Sequence, residues 1–138
     1  TPTAAQGQSL DPSVNGLYSW TLSFDLTGFN AASAWFTGSF AADNSAIAKL
    51  NGVEIGTSSG FASFSTFGAT TGFNSGLNTL EFLVTNIGQS SGNPTGLRVE
   101  FTQSNVVSAV PEPETYAMML AGLGLMGAIA RRRKAKQA

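Results

Sequence analysis

Apolar and polar residues alternate strictly near the N-terminal end of the chain, and this alternation predicts the first structural element. The apolar positions are Tyr18, Trp20, Leu22, Phe24 and Leu26, and each is followed by serine, threonine or aspartate. A period of two places the apolar side chains on one face of an extended strand and the polar ones on the other. The pattern therefore predicts an antiparallel strand with one buried and one solvated face.

An Asn-Gly pair at positions 51–52 separates two short runs that are typical of strands. Both central residues of a type I′ turn need positive φ, which Asn and Gly tolerate, so the pair predicts a two-residue β-hairpin. In that hairpin Leu50 opposes Val53, and Lys49 opposes Glu54. We therefore expect an aliphatic pair on one face and an exposed ion pair, worth well under about 1 kcal/mol, on the other.

Strand patterns recur along the rest of the first 108 residues, with Gly- and Asn-rich turns between them. Phenylalanines spaced by about three residues predict a bent strand with loops, and a long polar loop separates the last two strands. Six or seven short strands without a helical period predict an all-β fold, an antiparallel β-sandwich. We assign residues 1–16 to a polar arm or loop and 17–108 to the sandwich. The further strand patterns are at 34–42, 80–85 and 97–101, the phenylalanines at 61, 64, 67 and 73, and the loop at 86–96.

The last thirty residues, 109–138, form a separate tail. Residues 115–130 contain no charged residue and predict a single hydrophobic helix of roughly 24 Å, somewhat shorter than the ~30 Å hydrocarbon core of a bilayer. Flanking cations can anchor such a helix at the interface and place the C-terminus on the cytoplasmic side. A basic end at 131–136 supplies them, and its first four residues are Arg131, Arg132, Arg133 and Lys134.

Charge divides the chain in the same way. The first 108 residues carry two cations and six carboxylates, a net charge of −4, whereas the tail carries five cations and two carboxylates, a net charge of +3. An acidic body argues against a nucleic-acid partner. The chain contains no cysteine, so the domain must be held together by its core rather than by disulfides.

The tail resembles the PEP-CTERM sorting signals of Gram-negative bacteria. The resemblance is carried by Val110, Pro111, Glu112 and Pro113, followed by the Gly/Ala/Leu/Met-rich helix and the terminal Arg triplet. It implies export, recognition by an exosortase-type membrane protease, removal of the tail, and release of the body to the cell surface or extracellular matrix. Before processing, the tail would be held transiently in the inner membrane.

The body resembles the galactose-binding-like jelly rolls found in many PEP-CTERM proteins. The resemblance covers residues 17–101 and is carried mainly by the turns at 42–44, 51–52, 76–79 and 93–96. Such domains usually have further strands before the position of Gly16, where this chain has a short polar arm. We therefore expect an open sheet edge to which a strand of another subunit can add.

The residue types argue against an enzyme. Without histidine or cysteine the chain lacks the usual general base, His-dependent triads and most zinc sites. Glu54, Glu81 and Glu100 are candidates for a glycosidase carboxylate pair, but each lies on the polar face of a predicted strand. We expect no metal or cofactor. Asp43 and Asn44 carry oxygen ligands of the kind that calcium accepts, but they are weak candidates, because both residues also favour turns.

Two functions remain open. The first is a structural or assembly role in the extracellular matrix, associated with exopolysaccharide. Assembly could also involve the tail, because small residues four apart let helices approach closely; the alternative is that they serve only for entry into the protease. These small residues are at 117, 121, 124 and 128. The alternative is a carbohydrate-binding module in which an exposed aromatic ring stacks on a sugar. Its candidate ligand-binding residues are Trp35, Asp43, Asn44, Asn86 and Asn93.

Overall fold

The computed structural model describes residues 13–90, 92–109 and 113–137, which contain seven β-strands followed by one α-helix. The chain divides into two compact units, Thr1–Ser108 and Ala109–Ala138. The predicted arm at 1–16 and the sorting-motif residues Val110, Pro111 and Glu112 lie mostly or wholly outside the described residues. The strands are β1 Gly16–Asp25, β2 Trp35–Asp43, β3 Ser45–Leu50, β4 Val53–Ser58, β5 Ser65–Ala69, β6 Leu77–Asn86 and β7 Gly96–Asn105.

The strands form two antiparallel sheets, which confirms the predicted all-β class. One sheet has four strands in the order β1-β6-β3-β4, and the other has three in the order β5-β2-β7. A short 3-10 turn, Ala31–Ser33, leads into β2. β1 shows the predicted alternation, because Tyr18, Trp20 and Phe24 pack against the core while the serines and threonines between them are exposed.

The predicted hairpin joins β3 and β4. Asn51 and Gly52 have φ values of 50° and 84°, as a type I′ turn requires, and Leu50 pairs with Val53 and Lys49 with Glu54. The expected Lys49–Glu54 ion pair was wrong, since the one ion pair among the described residues joins β7 side chains. Lys49 and Glu54 are still directly opposed, and the weak net gain of a solvated ion pair accounts for the difference.

A group of phenylalanine rings fills the space between the sheets. Phe40 of β2, Phe67 of β5 and Phe82 of β6 lie 5.3–5.5 Å apart between ring centroids, two of the three pairs edge-to-face. Gly38 makes room for them, because a Cβ there would come within 2.5 Å of the Phe67 ring. The core is therefore built from both sheets, with Phe40 completely buried.

The sandwich is closed on one side and open on the other. At Gly56 of β4 an added Cβ would lie 2.8 Å from the Thr66 carbonyl oxygen, so β4 and β5 approach each other closely. On the opposite side lie the edge strands β1 and β7, each paired with one neighbour within the described part of the chain. A cleft of about 430 Å³, here called the β1–β7 cleft, opens there. It is lined largely by apolar side chains, among them Leu22, Phe24, Trp35, Phe36 and Phe101.

The tail forms the helix α1, Pro113–Gln137. It is longer than the predicted 115–130, because arginine, lysine and alanine are good helix formers and carry the helix through the basic end. Arg131, Arg132, Arg133 and Lys134 lie on this helix and are exposed. Among the described residues, no helix combines the length and the apolar character that crossing a membrane requires.

Candidate functional site

The structure brings four of the five predicted ligand-binding residues to one end of the sandwich. Asp43 is the last residue of β2 and Asn44 follows it, while Asn86 is the last residue of β6 and Asn93 lies in the loop that leads to β7. Trp35 lies at the other end of β2, eight residues from Asp43 and about 27 Å away at the rise of an extended strand. Trp35 therefore cannot share a small ligand with the other four.

The three asparagines stabilise the loop at 87–95. The Ile87 N–H donates to Asn44 Oδ1 at 2.6 Å, Asn86 Nδ2 donates to the Asn93 carbonyl at 3.2 Å, and Asn93 Nδ2 donates to the Ile87 carbonyl at 3.1 Å. Asn86 and Asn93 are buried, with 0 % and 2 % of their surface exposed. Their side chains thus build the scaffold of this end, where polar groups of a loop need internal partners.

The exposed aromatic residues beside Asp43 are two phenylalanines, and not Trp35 as the sequence predicted. Phe61 is 71 % exposed and Phe64 44 % exposed, and both line a groove of about 320 Å³. We call it the Phe61–Arg98 groove. Clustered exposed rings are unusual on a soluble domain and indicate a contact surface. The groove is lined by Ala41, Ala42, Asp43, Phe61, Phe64, Gly96, Leu97 and Arg98.

The loop that carries Phe61 is fastened to β2. The Gly60 carbonyl accepts hydrogen bonds from the Ala42 N–H at 3.2 Å and from the Ser58 hydroxyl at 3.1 Å. Ser58 is itself buried, so the start of the loop is held firmly against the sheet. Phe61 is consequently presented to solvent from a fixed point of the backbone, which lowers the entropy lost when a ligand binds.

Charged groups surround the rings. The Arg98 guanidinium lies 5.3 Å from the centroid of the Phe64 ring, and its Nη2 lies 2.6 Å from Glu100 Oε1. The Glu100 carboxylate and the aromatic face both orient the guanidinium, leaving its other N–H groups as donors. The groove thus combines apolar ring faces with a cation and the Asp43 carboxylate, a set suited to a ligand with both C–H faces and hydroxyl groups.

The described residues hold no cluster of three or more histidine, cysteine, aspartate or glutamate side chains that could bind a metal ion. The Asp43 carbonyl accepts a hydrogen bond from Thr95 Oγ1 at 2.8 Å. Calcium at Asp43 stays a prediction. Asp25 has a local structural role, because the Thr27 hydroxyl and N–H both donate to its Oδ1 and lower the pKa of the carboxyl group.

Sequence reasoning missed Phe61 and Phe64 as candidate ligand contacts. Both belong to the phenylalanine series whose spacing of about three fits neither a strand nor a helix. That irregularity was the available signal, since aromatic residues that follow no structural period in a Ser/Gly-rich segment need not belong to a core. The structure separates the series by burying Phe67 and exposing Phe61.

Comparison with protein-family models matches residues 109–134 to the PEP-CTERM protein-sorting motif. The match covers the predicted motif at 110–113, the apolar run and the start of the basic end. No curated protein and no solved structure matches the chain.

Proposed function

We propose that the β-sandwich of this chain, which carries a PEP-CTERM protein-sorting motif at residues 109–134, is a non-enzymatic domain that binds exopolysaccharide outside the cell. The motif itself supports an exported protein that is sorted by an exosortase. Within the proposal, the sandwich holds the protein in the extracellular matrix through the Phe61–Arg98 groove. The protein has a structural role in the matrix, and it performs this role by binding the sugars of the exopolysaccharide.

The exposure of Phe61 and Phe64 beside Asp43 and Arg98 supports this proposal most directly. A sugar ring presents a C–H face that packs on an aromatic ring and an edge of hydroxyls that hydrogen-bond to charged groups. Burying one phenylalanine side chain contributes about 1.5–3 kcal/mol. Two rings together therefore suffice to bind a sugar. Binding to a polysaccharide is stronger still, because the polymer repeats the same sugar unit many times.

The tail has a separate part in the proposal. An exosortase-type membrane protease recognises residues 110–113 and removes the apolar helix together with the basic end. The cations at 131–136 keep the C-terminus on the cytoplasmic side of the inner membrane of a Gram-negative bacterium until then. Support comes from the family match and from the concentration of five cations at one end of the apolar run.

Removing both exposed rings tests the groove. We expect the double variant Phe61→Ala, Phe64→Ala to bind exopolysaccharide purified from the producing bacterium at least tenfold more weakly, since about 1.4 kcal/mol corresponds to a factor of ten. Isothermal titration calorimetry measures the affinity. Phe29→Ala is the matched control, because Phe29 is also exposed, at 41 %, and does not line the groove. Equal binding by the double variant and the wild type would contradict the proposal.

A further inference from the structure

We propose that two copies of this chain pair through the outer edge of β1, forming one continuous eight-stranded sheet. β1 pairs with β6 over ten residues without a register shift, from Gly16 opposite Asn86 to Asp25 opposite Leu77. Every second residue of β1 directs its N–H and C=O away from β6. An edge of this length is a template for a further strand unless something protects it.

Within the described part of the chain, the edge strand of the other sheet carries features that discourage edge pairing, and β1 does not. β7 has two charged side chains, Arg98 and Glu100, and its pairing with β2 is irregular at Thr37/Gly38. Charges and bulges of this kind discourage edge pairing. β1 contains no proline, and its one charged residue, Asp25, is the last residue of the strand. The two edges of the open side therefore differ, and β1 is the edge suited to association.

The inner face of β1 also lacks full cover. Leu22 is 50 % exposed although it faces the core, and Phe101 across the β1–β7 cleft is 51 % exposed. Tyr18, Trp20 and Phe24 are each only partly buried. A neighbour that continues the sheet beyond β1 would cover this apolar edge, and the gain in buried surface would favour association.

The sequence of β1 is complementary to itself. In an antiparallel pair centred on Thr21, Trp20 lies opposite the partner's Leu22, and Tyr18 opposite the partner's Phe24. Aromatic-aliphatic and aromatic-aromatic pairs of this kind stabilise a sheet. On the outer face, Ser19 lies opposite the partner's Ser23, so hydroxyl groups meet there. No like charges oppose each other, and the arrangement is isologous, as a two-fold dimer requires.

Residues 1–12 of the same chain are a competing occupant of this edge. Their sequence contains one large apolar side chain, Leu10, and no alternation of apolar and polar residues. Such a segment offers little that could cover Trp20, Leu22 and Phe24. A second β1 strand supplies three aromatic rings and a leucine in the correct register, and for that reason we assign the edge to a second copy.

A cysteine at the two-fold axis tests the pairing. Opposed residues of an antiparallel pair have Cα atoms about 4.5–5.5 Å apart, within the range that a disulfide spans. The chain has no cysteine of its own, so Thr21→Cys introduces the only thiol. We expect the full-length variant, in detergent micelles under mild oxidation, to form a cross-linked dimer on a non-reducing gel. Thr57→Cys on the exposed face of β4 is the control and should cross-link at least tenfold less.

A charge at the same position tests the dimer without oxidation. Thr21→Lys places two cations at the two-fold axis, while within one copy the lysine lies opposite Glu81 of β6, so the monomer remains stable. A pairing of ten residues is a small interface, and we expect micromolar dissociation. Sedimentation of the full chain in micelles should show Thr21→Lys raising the dimer dissociation constant at least tenfold.

Three results would overturn the proposal. The first is equal cross-linking by Thr21→Cys and Thr57→Cys. The second is a dimer that persists in Thr21→Lys but is lost in Gly124→Leu, Ala128→Leu, which would assign association to the tail helix. The third is a monomeric full chain that becomes dimeric when residues 1–12 are deleted, which would show that this segment of the chain covers β1.

Discussion

Replacing Phe40 by alanine is expected to lower the free energy of unfolding by about 3–5 kcal/mol. Phe40 is completely buried, and its ring lies 5.5 Å from those of Phe67 and Phe82, measured between centroids. Since β2 and β6 belong to different sheets, the cavity would open between the two layers of the sandwich. Close packing of the core leaves little room for the surrounding rings to collapse into it.

Urea unfolding followed by tryptophan fluorescence measures this loss. A domain of this size has about 5–15 kcal/mol of stability in total, so the variant would be close to unfolding. Phe61→Ala is the matched control, because it removes the same atoms from a side chain that is 71 % exposed and should change stability by about 0.5 kcal/mol or less. Equal losses in the two variants would contradict the assignment of Phe40 to the centre of the core.

Replacing Asn78 by alanine should cost about 2–4 kcal/mol, because a buried polar network would lose its centre. The Asn78 side chain is completely buried at the start of β6. Its Oδ1 accepts from Asn51 Nδ2 at 2.8 Å and from the Asn74 N–H at 2.7 Å, and its Nδ2 donates to the carbonyls of Asn74 and Gly76 at 2.9 and 2.8 Å. The network joins the β3–β4 hairpin to the turn before β6, so both would loosen.

The dependence of stability on pH distinguishes hydrogen bonding from simple filling of space. In Asn78→Asp the introduced carboxylate keeps both acceptor contacts but faces the two carbonyls that the amide donated to. Burial and these carbonyls raise the pKa of the carboxyl group in the folded state, so the variant gains stability as pH falls and the group regains a proton to donate. We expect the difference in melting temperature between wild type and Asn78→Asp to become smaller as the pH is lowered from 7 to 4. A difference in melting temperature that does not change with pH would contradict the role assigned to the Asn78 amino group.

Local patterns predicted the parts of this fold that depend on neighbouring residues. The alternation in β1 and the Asn-Gly turn each specify a strand or a hairpin within a dozen residues, and the structure confirms both. The order β1-β6-β3-β4 could not be predicted in the same way. It depends on pairing β1 with a strand about sixty residues later, and several strands with the same alternation compete for that place.

The candidate site shows the same limit. The sequence suggested Asp43, Asn44, Asn86 and Asn93, together with Trp35, as candidate ligand-binding residues, and the structure places the first four at one end of the sandwich and Trp35 elsewhere. The sequence did not indicate that the asparagines would turn inward, because an asparagine that binds a ligand and one that stabilises a loop have the same chemistry. The burial of Phe67 likewise depends on a residue far away in the sequence, because a side chain at Gly38 would collide with its ring.

The intact mass of the protein recovered from outside the cells that produce it tests the central claim most directly. If the tail is a sorting signal that an exosortase removes, the recovered chain should end near Pro113 and lack the basic end. Its mass should then be smaller by most of the segment that matches the sorting motif. A mass that still includes Arg131 and Ala138 would contradict the claim, since it would show that the protein reaches the cell exterior with its tail in place.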